Sequence, residues 1–298
     1  MPDTDAAPDA TDPTEVFAAY RPLLVGVAYR VLGRVTDAED VVQEAWLRWR
    51  GVDHPGVDDP RAYLVRVVTR LALDRLRLAQ ARRETYVGDW LPEPLLDAND
   101  PATHVADAEA VSLAMLVVLE TLSPLERVVF VLREAFHFSY AEIAEVVERS
   151  ETAVRQLGSR ARAHVRERRQ RFDVDHAVTR RLTGRFVEVC LGGDLSGLLA
   201  ILAPQVTMRS DGGGGQKAPL RTIVGADKVA RFLVAVAQDP VAPELTWTTE
   251  PVNGAPALVV TRNGDPYAVF AVEHSDGVIT GIYLLINPDK LAGVRATG

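Results

Sequence analysis

The chain has 298 residues, 47% hydrophobic and 25% charged, with a formal net charge of −8 and a mean hydropathy of +0.01. That balance describes a soluble, multidomain protein expected in the cytosol, and no apolar run approaches the roughly 18–20 residues of a membrane span. The single cysteine, Cys190, excludes an internal disulfide and a multi-cysteine zinc site, and reads as a small core residue.

The start, "MPDTDAAPDATDPTE", is acidic and rich in proline and alanine. It has no basic leader and no apolar stretch, so it is expected to be a disordered tail over residues 1–13 and not a secretion signal. From Val16 to Leu32 apolar residues recur at helical spacing, and Gly33 is the stop. Pro22 interrupts the pattern and predicts a kink or a late helix start. In "TDAEDVVQEAWLRWR", Thr36 and Glu39 have capping-box spacing. Ala38, Val41, Val42, Ala45, Trp46 and Trp49 form an apolar stripe there. Asp37, Asp40, Gln43, Glu44 and Arg48 form a mainly acidic face, suited to a basic partner.

A Gly/Pro/Asp loop follows at Gly51–Pro60. Then comes a long helix, "RAYLVRVVTRLALDRLRLAQARRE", with Leu64, Val67, Val68, Leu71, Leu76 and Leu78 as its apolar set. Its charge is reversed in sign: Arg61, Arg66, Arg70, Arg75, Arg77, Arg82 and Arg83 stand against Asp74 alone through residue 83. "VGDWLPEPLLDANDPAT" cannot be helical and reads as an extended linker. Helix resumes at "HVADAEAVSLAMLVVLETL", and Ser123–Glu126 is a capping box with Pro124 at the first helical position.

Next, "SYAEIAEVVERSETAVRQLGSRAR" predicts a short helix capped by Ser139 and Glu142, a turn at Glu148–Ser150, and a second helix capped by Ser150. Residues 150–171 carry seven arginines against two glutamates. Helix, tight turn and basic helix is the layout of a DNA-reading helix-turn-helix. A helical core hairpin is the alternative. Glu148 takes the turn position that glycine often fills with positive φ. Gly158 costs the second helix about 1 kcal/mol relative to alanine. Two basic blocks in an acidic chain can hold phosphates locally, because attraction is screened within about 8–10 Å.

The remainder reads as α+β. "VDHAVTRRLTGRFVEVCLGGD", "LSGLLAILA" and "GADKVARFLVAVAQD" are helical. "VTMRSD", "ELTWTTEPV", "ALVVTRNG", "YAVFAVEHSDG" and "VITGIYLLINP" are strands, with turns at "NGDP" and "HSDG". His274 with Asp211 or Glu273 has the residue types of an acid–base pair, although a lone histidine beside a turn is more often polar surface. "DGGGGQK" lacks the Gly-Lys-Ser/Thr ending of a phosphate loop and reads as a flexible loop.

"DAEDVVQEAWLRW", "LSPLERVVFVLRE" and "SYAEIAEVVERSETAVRQLGSRAR" together resemble the region 2 and region 4 signatures of bacterial extracytoplasmic-function sigma factors, over Thr14–Arg169. "WLPEP" at Trp90–Pro94, "DGGGG" at Asp211–Gly215 and "NPDKL" at Asn287–Leu291 resemble the subgroup with a C-terminal SnoaL-like domain. Arg70 departs from the wider family, where many relatives carry asparagine. The resemblance implies a multidomain fold: two all-α sigma domains, then an α+β SnoaL-like cone of the nuclear-transport-factor-2 kind. It places region 2 at 14–86, a linker at 87–104, region 4 at 105–171 and the cone at 174–293.

The roles it implies are those of a transcription initiation factor. Asp37, Glu39, Asp40, Gln43, Glu44 and Trp46 would bind core RNA polymerase. Tyr63, Arg66, Arg70, Arg75, Arg77, Arg82 and Arg83 would hold the promoter −10 element. Ser150, Glu151, Thr152, Arg155, Gln156, Arg160 and Arg162 would meet the −35 element, with Arg166 on phosphates. Trp90, Pro92, Asp211, Gly212, Gly213, Asn287, Asp289 and Lys290 would make regulatory contacts, with the tetraglycine loop against the sigma domains. No catalytic residue, metal, cofactor, membrane or separate anti-sigma protein is expected. Two other classes remain open at this point: a one-component repressor or activator with a ligand-sensing cone, and a cyclase- or isomerase-like enzyme with a DNA-binding appendage.

Overall fold

The computed structural model describes residues 12–83, 86–96, 112–169, 176–216, 218–238 and 244–294. The chain divides into two compact units. The first takes the described residues of Met1–Gln80 and Leu122–Arg162, and the second those of Ala81–Asn99, Ala110–Thr121 and Ala163–Gly298. The expected N-terminal tail lies almost wholly outside the described residues, as does the stretch from residue 97 to 111.

The first unit is helical. Helix α1, Pro13–Leu32, is capped by Asp12, whose carboxylate accepts from the Thr14 N–H at 2.8 Å, and is closed by Gly33 at φ 74°. It neither starts late nor stops at Pro22; its buried side, with Leu24, Val27, Ala28 and Val31, holds it. Helix α2, Val35–Trp49, also departs from the sequence reading. It begins one residue ahead of Thr36, Arg34 occupies the cap position without a side-chain cap bond, and the expected capping box is absent. The Glu39 carboxylate instead accepts from Arg21 of α1 at 2.5 Å, so a tertiary partner takes the place of the local one. Helix α3, Pro60–Arg83, buries Leu64, Val65, Val68, Ala72, Leu73 and Leu76, while Leu78 is 66% exposed and leaves the expected apolar set.

Helix α5, Pro124–Phe130, passes into a π-helical turn at Val131–Ala135. Helix α6, Tyr140–Val147, and helix α7, Glu151–Arg169, follow. Both expected capping boxes, at Ser123 and Ser139, form, and Ser150 Oγ accepts from the Ala153 N–H at 3.3 Å. Glu148 sits between α6 and α7 at φ 53°, ψ 53°, the left-handed turn that the sequence assigned to it. The fully buried Arg127 guanidinium donates to the Val31 carbonyl at 2.9 Å, in the last turn of α1, where the carbonyls lack partners along the helix. That contact ties the helix-turn-helix segment to the N-terminal helices.

The second unit is α+β, as expected. Its sheet has the order β2-β1-β6-β5-β4-β3. The strands are β1 (Leu202–Asp211), β2 (Ile223–Val224), β3 (Leu245–Val252), β4 (Ala255–Arg262), β5 (Asp265–Ser275) and β6 (Val278–Leu285). β1 and β6 are parallel, and the other pairs are antiparallel. Asn253-Gly254, Asn263-Gly264 and Asp276-Gly277 all have positive φ and make the tight hairpin turns of β3–β4, β4–β5 and β5–β6. Irregular register at Val260/Thr261 and Glu273/His274 bends the strands.

Alternate residues of the central strands serve two cores. Leu258, Val260, Ala268, Val272, Ile282 and Leu284 pack with helices α8 (His176–Leu191), α9 (Leu195–Ile201) and α10 (Ala226–Ala237). Ala257, Val259, Val269, Tyr283 and Leu285 pack on the other side with Leu91 and Leu96 of the linker, Leu113 and Val117 of helix α4 (Leu113–Leu119), and Leu291 and Val294 beside helix α11 (Pro288–Leu291). The linker is extended over residues 86–96, as its prolines require, but it is core and not a spacer. Leu91 has 0% exposure. Leu96 pairs with Val252, and the Asn253 N–H donates to the Leu95 carbonyl at 2.8 Å.

Leu91→Ala is therefore expected to lower the stability of the sheet unit by about 2–5 kcal/mol, the usual cost of a truncated buried leucine. Urea unfolding followed by circular dichroism measures it; a change below about 0.5 kcal/mol would return the linker to the solvent.

Candidate nucleic-acid interface and the linker lock

Two groups of residues stand out, one in each unit. In the first unit, the arginines of α3 and α7 are engaged with carboxylates and rings. Arg75 lies 2.7 Å from Asp40 and 3.3 Å from Asp37, so two members of the acidic face of α2 meet the basic helix within the unit. Gln43 and Glu44 are exposed, with Glu44 on Arg48 at 2.7 Å. Trp46 is half-buried against Phe17, at 5.0 Å between ring centres. Arg66 reaches Glu145 of α6 at 3.3 Å, and Arg70 reaches Glu148 at 2.8 Å and the Val146 carbonyl at 3.3 Å. Arg61 lies over the Phe138 ring at 4.5 Å. Arg61, Arg66 and Arg70 thus tie the N-terminal half of α3 to α6 and the residues beside it through side chains. Tyr63 packs on Trp49 at 5.7 Å, beside the 3-10 turn His54–Gly56 of the Gly/Pro/Asp loop. Arg77 is exposed and paired with Asp74; the side chains of Arg82 and Arg83 lie outside the described residues.

On α7, Glu151, Thr152, Arg155, Gln156 and Arg160 are exposed. Arg155 pairs with Glu151 along the helix. Arg160 approaches Glu126 at 3.5 Å, and Arg162 approaches Glu134 at 3.2 Å. Sequence reasoning missed Tyr140, which orders this group. Its ring carries Arg133 at 4.9 Å, Arg155 at 5.0 Å and Arg162 at 6.0 Å, and its hydroxyl accepts from Arg162 at 2.6 Å. Gly158 explains itself here: a Cβ on it would lie 3.2 Å from the Tyr140 ring. The signal available in the sequence was an aromatic opening one helix and a glycine inside the next. The Ser139 hydrogen bond holds the Glu142 carboxyl below its usual range, so the cap stays charged further into acid than a free glutamate would.

In the second unit, the three motifs of the linker, the β1 end and the C-terminal helix meet. Lys290 Nζ lies 2.6 Å from Asp211 Oδ2, with both side chains almost wholly buried. The same ammonium donates to the Leu91 carbonyl at 2.5 Å and sits 3.9 Å above the Trp90 ring. Asp211 also accepts from the Leu91 N–H at 2.9 Å, the Tyr86 hydroxyl at 2.5 Å and the Gly213 N–H at 3.1 Å. Asn287 donates to the Tyr86 hydroxyl at 3.0 Å and caps α11 by accepting from the Asp289 N–H at 3.1 Å. A Cβ on Gly213, which has φ 65°, would fall 2.7 Å from Asn287. Burial first, and then the hydrogen bond to Asp211, push the Tyr86 hydroxyl above its ordinary range.

The loop reading of "DGGGG" is met by residues 213–215, an exposed turn, and is corrected at the start of the motif. Asp211 ends β1 with 0% exposure, and Gly212 is buried. Trp90, Asp211, Gly213, Asn287 and Lys290 converge. Pro92 is buried nearby in the chain, and Asp289 faces solvent. Tyr86, the Leu91 backbone and Asn253 belong to the same attachment and were not singled out in the sequence; nor was Asp89, which accepts from Thr222 Oγ1 at 3.0 Å. The considered acid–base pairs do not assemble. His274 is buried on Thr179 at 2.8 Å, Asp211 belongs to Lys290, and Glu273 accepts from Tyr283 at 2.6 Å. Cys190 is half-buried in the α8 core, and burial pushes its thiol up to about 12. Among the described residues no cluster suits a metal ion, and no helix is long and apolar enough to cross a membrane.

The sigma-70 region 2 family matches residues 16–82, and the sigma-70 region 4 family matches residues 112–165. The chain is 42% identical over 291 residues to the ECF RNA polymerase sigma factor SigJ of Mycobacterium tuberculosis, covering 93% of this chain and 92% of the relative. It is 36% identical to the probable ECF RNA polymerase sigma factor SigI of the same species, covering 94% and 95%. The crystal structure of M. tuberculosis SigJ superposes with a TM-score of 0.76 at 38% identity, covering 95% of this chain and 99% of that one. The chain belongs to the extracytoplasmic-function sigma factors of RNA polymerase. Its helical sigma regions are followed by the SnoaL-like α+β sheet that the resemblance implied, and neither the repressor nor the appended-enzyme reading is favoured.

Lys290→Met leaves the Asp211 carboxylate buried without its cation and is expected to destabilise by about 3–5 kcal/mol. Asp211→Asn with Lys290→Met removes both charges and should recover part of that loss. Urea titration of the three proteins checks this; equal stability of single and double variants would mean that the pair is not desolvated. The Tyr86 contribution depends on pH. A hydroxyl with a raised folded pKa stabilises fully below about 10 and loses that stabilisation as pH climbs through the raised value. Tyr86→Phe should reduce the alkaline loss of stability, with the rest carried by Tyr283 and Cys190, whose burial also raises them; pH-dependent thermal unfolding measures the difference.

Proposed function

We propose that α7 reads the −35 element, that α3 and its preceding loop hold the −10 element, that the acidic face of α2 binds core polymerase, and that the sheet unit regulates initiation from within the chain. The observation that carries the reading is the placement of Arg155. It is exposed near the start of a basic helix that follows a tight left-handed turn, where a recognition helix meets base edges. Arg160, Arg162 and Arg166 lie further along and suit phosphates. Arg155→Ala should cost about 1–3 kcal/mol on the preferred −35 site and relax base preference there, whereas Arg166→Ala should weaken all sequences alike and reduce the salt slope. A binding assay over a −35 library separates the two; the same uniform loss from both would reject base reading by α7.

For polymerase binding, Asp37 and Asp40 make a poor test by charge reversal, because a lysine there would face Arg75. Asp40→Asn with Glu44→Gln keeps the shape, and loss of exposed pairs changes stability by only about 0–1 kcal/mol. This double variant should bind core polymerase at least tenfold more weakly while unfolding as the parent does. Unchanged affinity removes the acidic face from the polymerase contact.

The contact of Arg66 and Arg70 with Glu145 and Glu148 bears on how the two readers work. Elements about 25 base pairs apart are separated by ~85 Å along B-DNA at about 3.4 Å per pair. An α3 tied to α6 by these side-chain bonds cannot span that distance, so on this reading promoter engagement breaks them. Glu145→Ala with Glu148→Ala should ease parting and raise promoter binding by polymerase holoenzyme. The regulatory reading rests on the Asp211–Lys290 attachment of the linker, and it needs no separate anti-sigma protein. Deleting the whole sheet unit would expose Leu91, Leu113 and Val117, so the cleaner test is transcription by the Lys290→Met and double-neutral proteins at equal folded concentration. Activity equal to the parent in both would leave the sheet unit without a regulatory role through this attachment.

A further inference from the structure

Tyr140 opens α6, yet its ring lies among arginines of two other segments: Arg133 of the π-helical turn, and Arg155 and Arg162 of α7. Arg133 and Arg162 are also fixed by hydrogen bonds. Arg133 donates to the Phe138 carbonyl at 2.9 Å. Arg162 donates to the Tyr140 hydroxyl at 2.6 Å and to Glu134 at 3.2 Å. Arg155 pairs with Glu151 one turn back on its own helix, and both side chains are exposed. Such a pair is weak and leaves a long side chain several geometries. The Tyr140 ring, 5.0 Å from the guanidinium, ties Arg155 to a different helix. Gly158 makes room for that ring. A Cβ there would lie 3.2 Å from Tyr140 Cε1 and 3.3 Å from its hydroxyl. Alanine would suit the helix better and crowd the ring.

We propose that Tyr140 is a positioning residue for base reading: its ring places the Arg155 guanidinium before DNA arrives, and its hydroxyl places Arg162 for a phosphate. The inference rests on the reading that α7 meets the −35 element. An arginine loses much rotamer freedom when it meets a base edge. A guanidinium held against an aromatic face is attracted through its charge, and its N–H fork stays open at the rim for a bidentate contact. Order present before binding favours the matched base, where the fork is used, over sites where Arg155 stays off the bases. Glu151 does not block this, because an exposed ion pair gives way easily to a base edge or a phosphate. The hydroxyl acts separately. Phosphate contacts carry no base preference but set the salt dependence, so ring and hydroxyl are expected to move different measurements.

Holoenzyme of core polymerase and the full-length protein is bound to promoters randomised over the −35 element, at several salt concentrations. Arg155→Ala is expected to cut the preference at one base position about fivefold or more. Tyr140→Leu should relax preference at that same position about two- to tenfold, the usual effect of ordering one long side chain, and should add nothing there once Arg155 is alanine. Tyr140→Phe keeps the ring and should retain the parent's preference, while its salt slope falls by up to about one phosphate contact. A loss of folded protein lowers all sequences alike and cancels in the ratio between them. Gly158→Ala crowds the ring without removing it and should relax the same position to a lesser degree, which keeps a test open if Tyr140→Leu folds poorly. Parent-like preference from Gly158→Ala, or from a folded Tyr140→Leu protein, would overturn the proposal, as would a loss from Tyr140→Leu that is equal at every base. If Arg155→Ala itself leaves every preference unchanged, the −35 reading by α7 has failed, and the inference falls with it.

Discussion

The buried pair of Asp211 and Lys290 is the constraint on which the second unit depends. A carboxylate and an ammonium at 2.6 Å, both removed from water, have given up several kcal/mol of hydration each. Their attraction offsets that only if the remaining hydrogen-bonding capacity is also met, and here the linker meets it. The Leu91 N–H donates to Asp211 while the Leu91 carbonyl accepts from Lys290. One linker residue is thereby held by both members of the pair, with Trp90 under the ammonium and Tyr86 on the carboxylate. Replacing such pairs by apolar residues is often neutral for stability. What the charges add is register: a linker shifted by one residue withdraws the Leu91 N–H from Asp211 and the Leu91 carbonyl from Lys290, and leaves the buried pair with part of its hydrogen-bonding capacity unmet.

The sheet makes this attachment necessary. Its central strands are buried on both sides, so β4 reads "ALVV" without polar alternation. Helices α8, α9 and α10 cover one side. The other would be an exposed apolar surface if the linker and α4 were absent, and surfaces of that kind drive association. Linker and sheet therefore complete one another. The linker cannot hold its prolines and apolar residues in water at no cost, and the sheet cannot keep Val259, Val269 and Leu285 exposed. The boundary between compact units consequently differs from the boundary between sequence families: α4 lies within the region 4 match yet belongs to the sheet unit.

In the first unit the governing feature is charge held in short pairs. Most of the arginines on α3 and α7 discussed above have an acidic or aromatic neighbour, and nearly all of those neighbours are partly exposed. Exposed pairs of this kind contribute about 0–1 kcal/mol each and are screened by salt. They are weak enough to exchange a carboxylate for a phosphate. The buried Arg127, bonded to the end of α1, is a different case: its partner is backbone, and the contact is structural.

The sequence by itself determined the local elements and the kind of protein. Helical spacing, the capping boxes at Ser123 and Ser139, the left-handed position of Glu148 and the Asn-Gly and Asp-Gly turns are decided by backbone sterics and neighbours within four residues. For that reason the helix-turn-helix and the hairpins were legible. The candidate DNA-reading arginines were legible because local charge density is a property of the chain. Tertiary structure decided everything set by long-range partners. Glu39 left its capping box for Arg21, and Tyr140 gathered three arginines from different segments. Asp211, at the head of a motif with the composition of a loose loop, became the fixed end of a strand because Lys290, 79 positions later, supplied its cation. Burial is a collective property, and no window of sequence contains the partner that makes a buried charge tolerable.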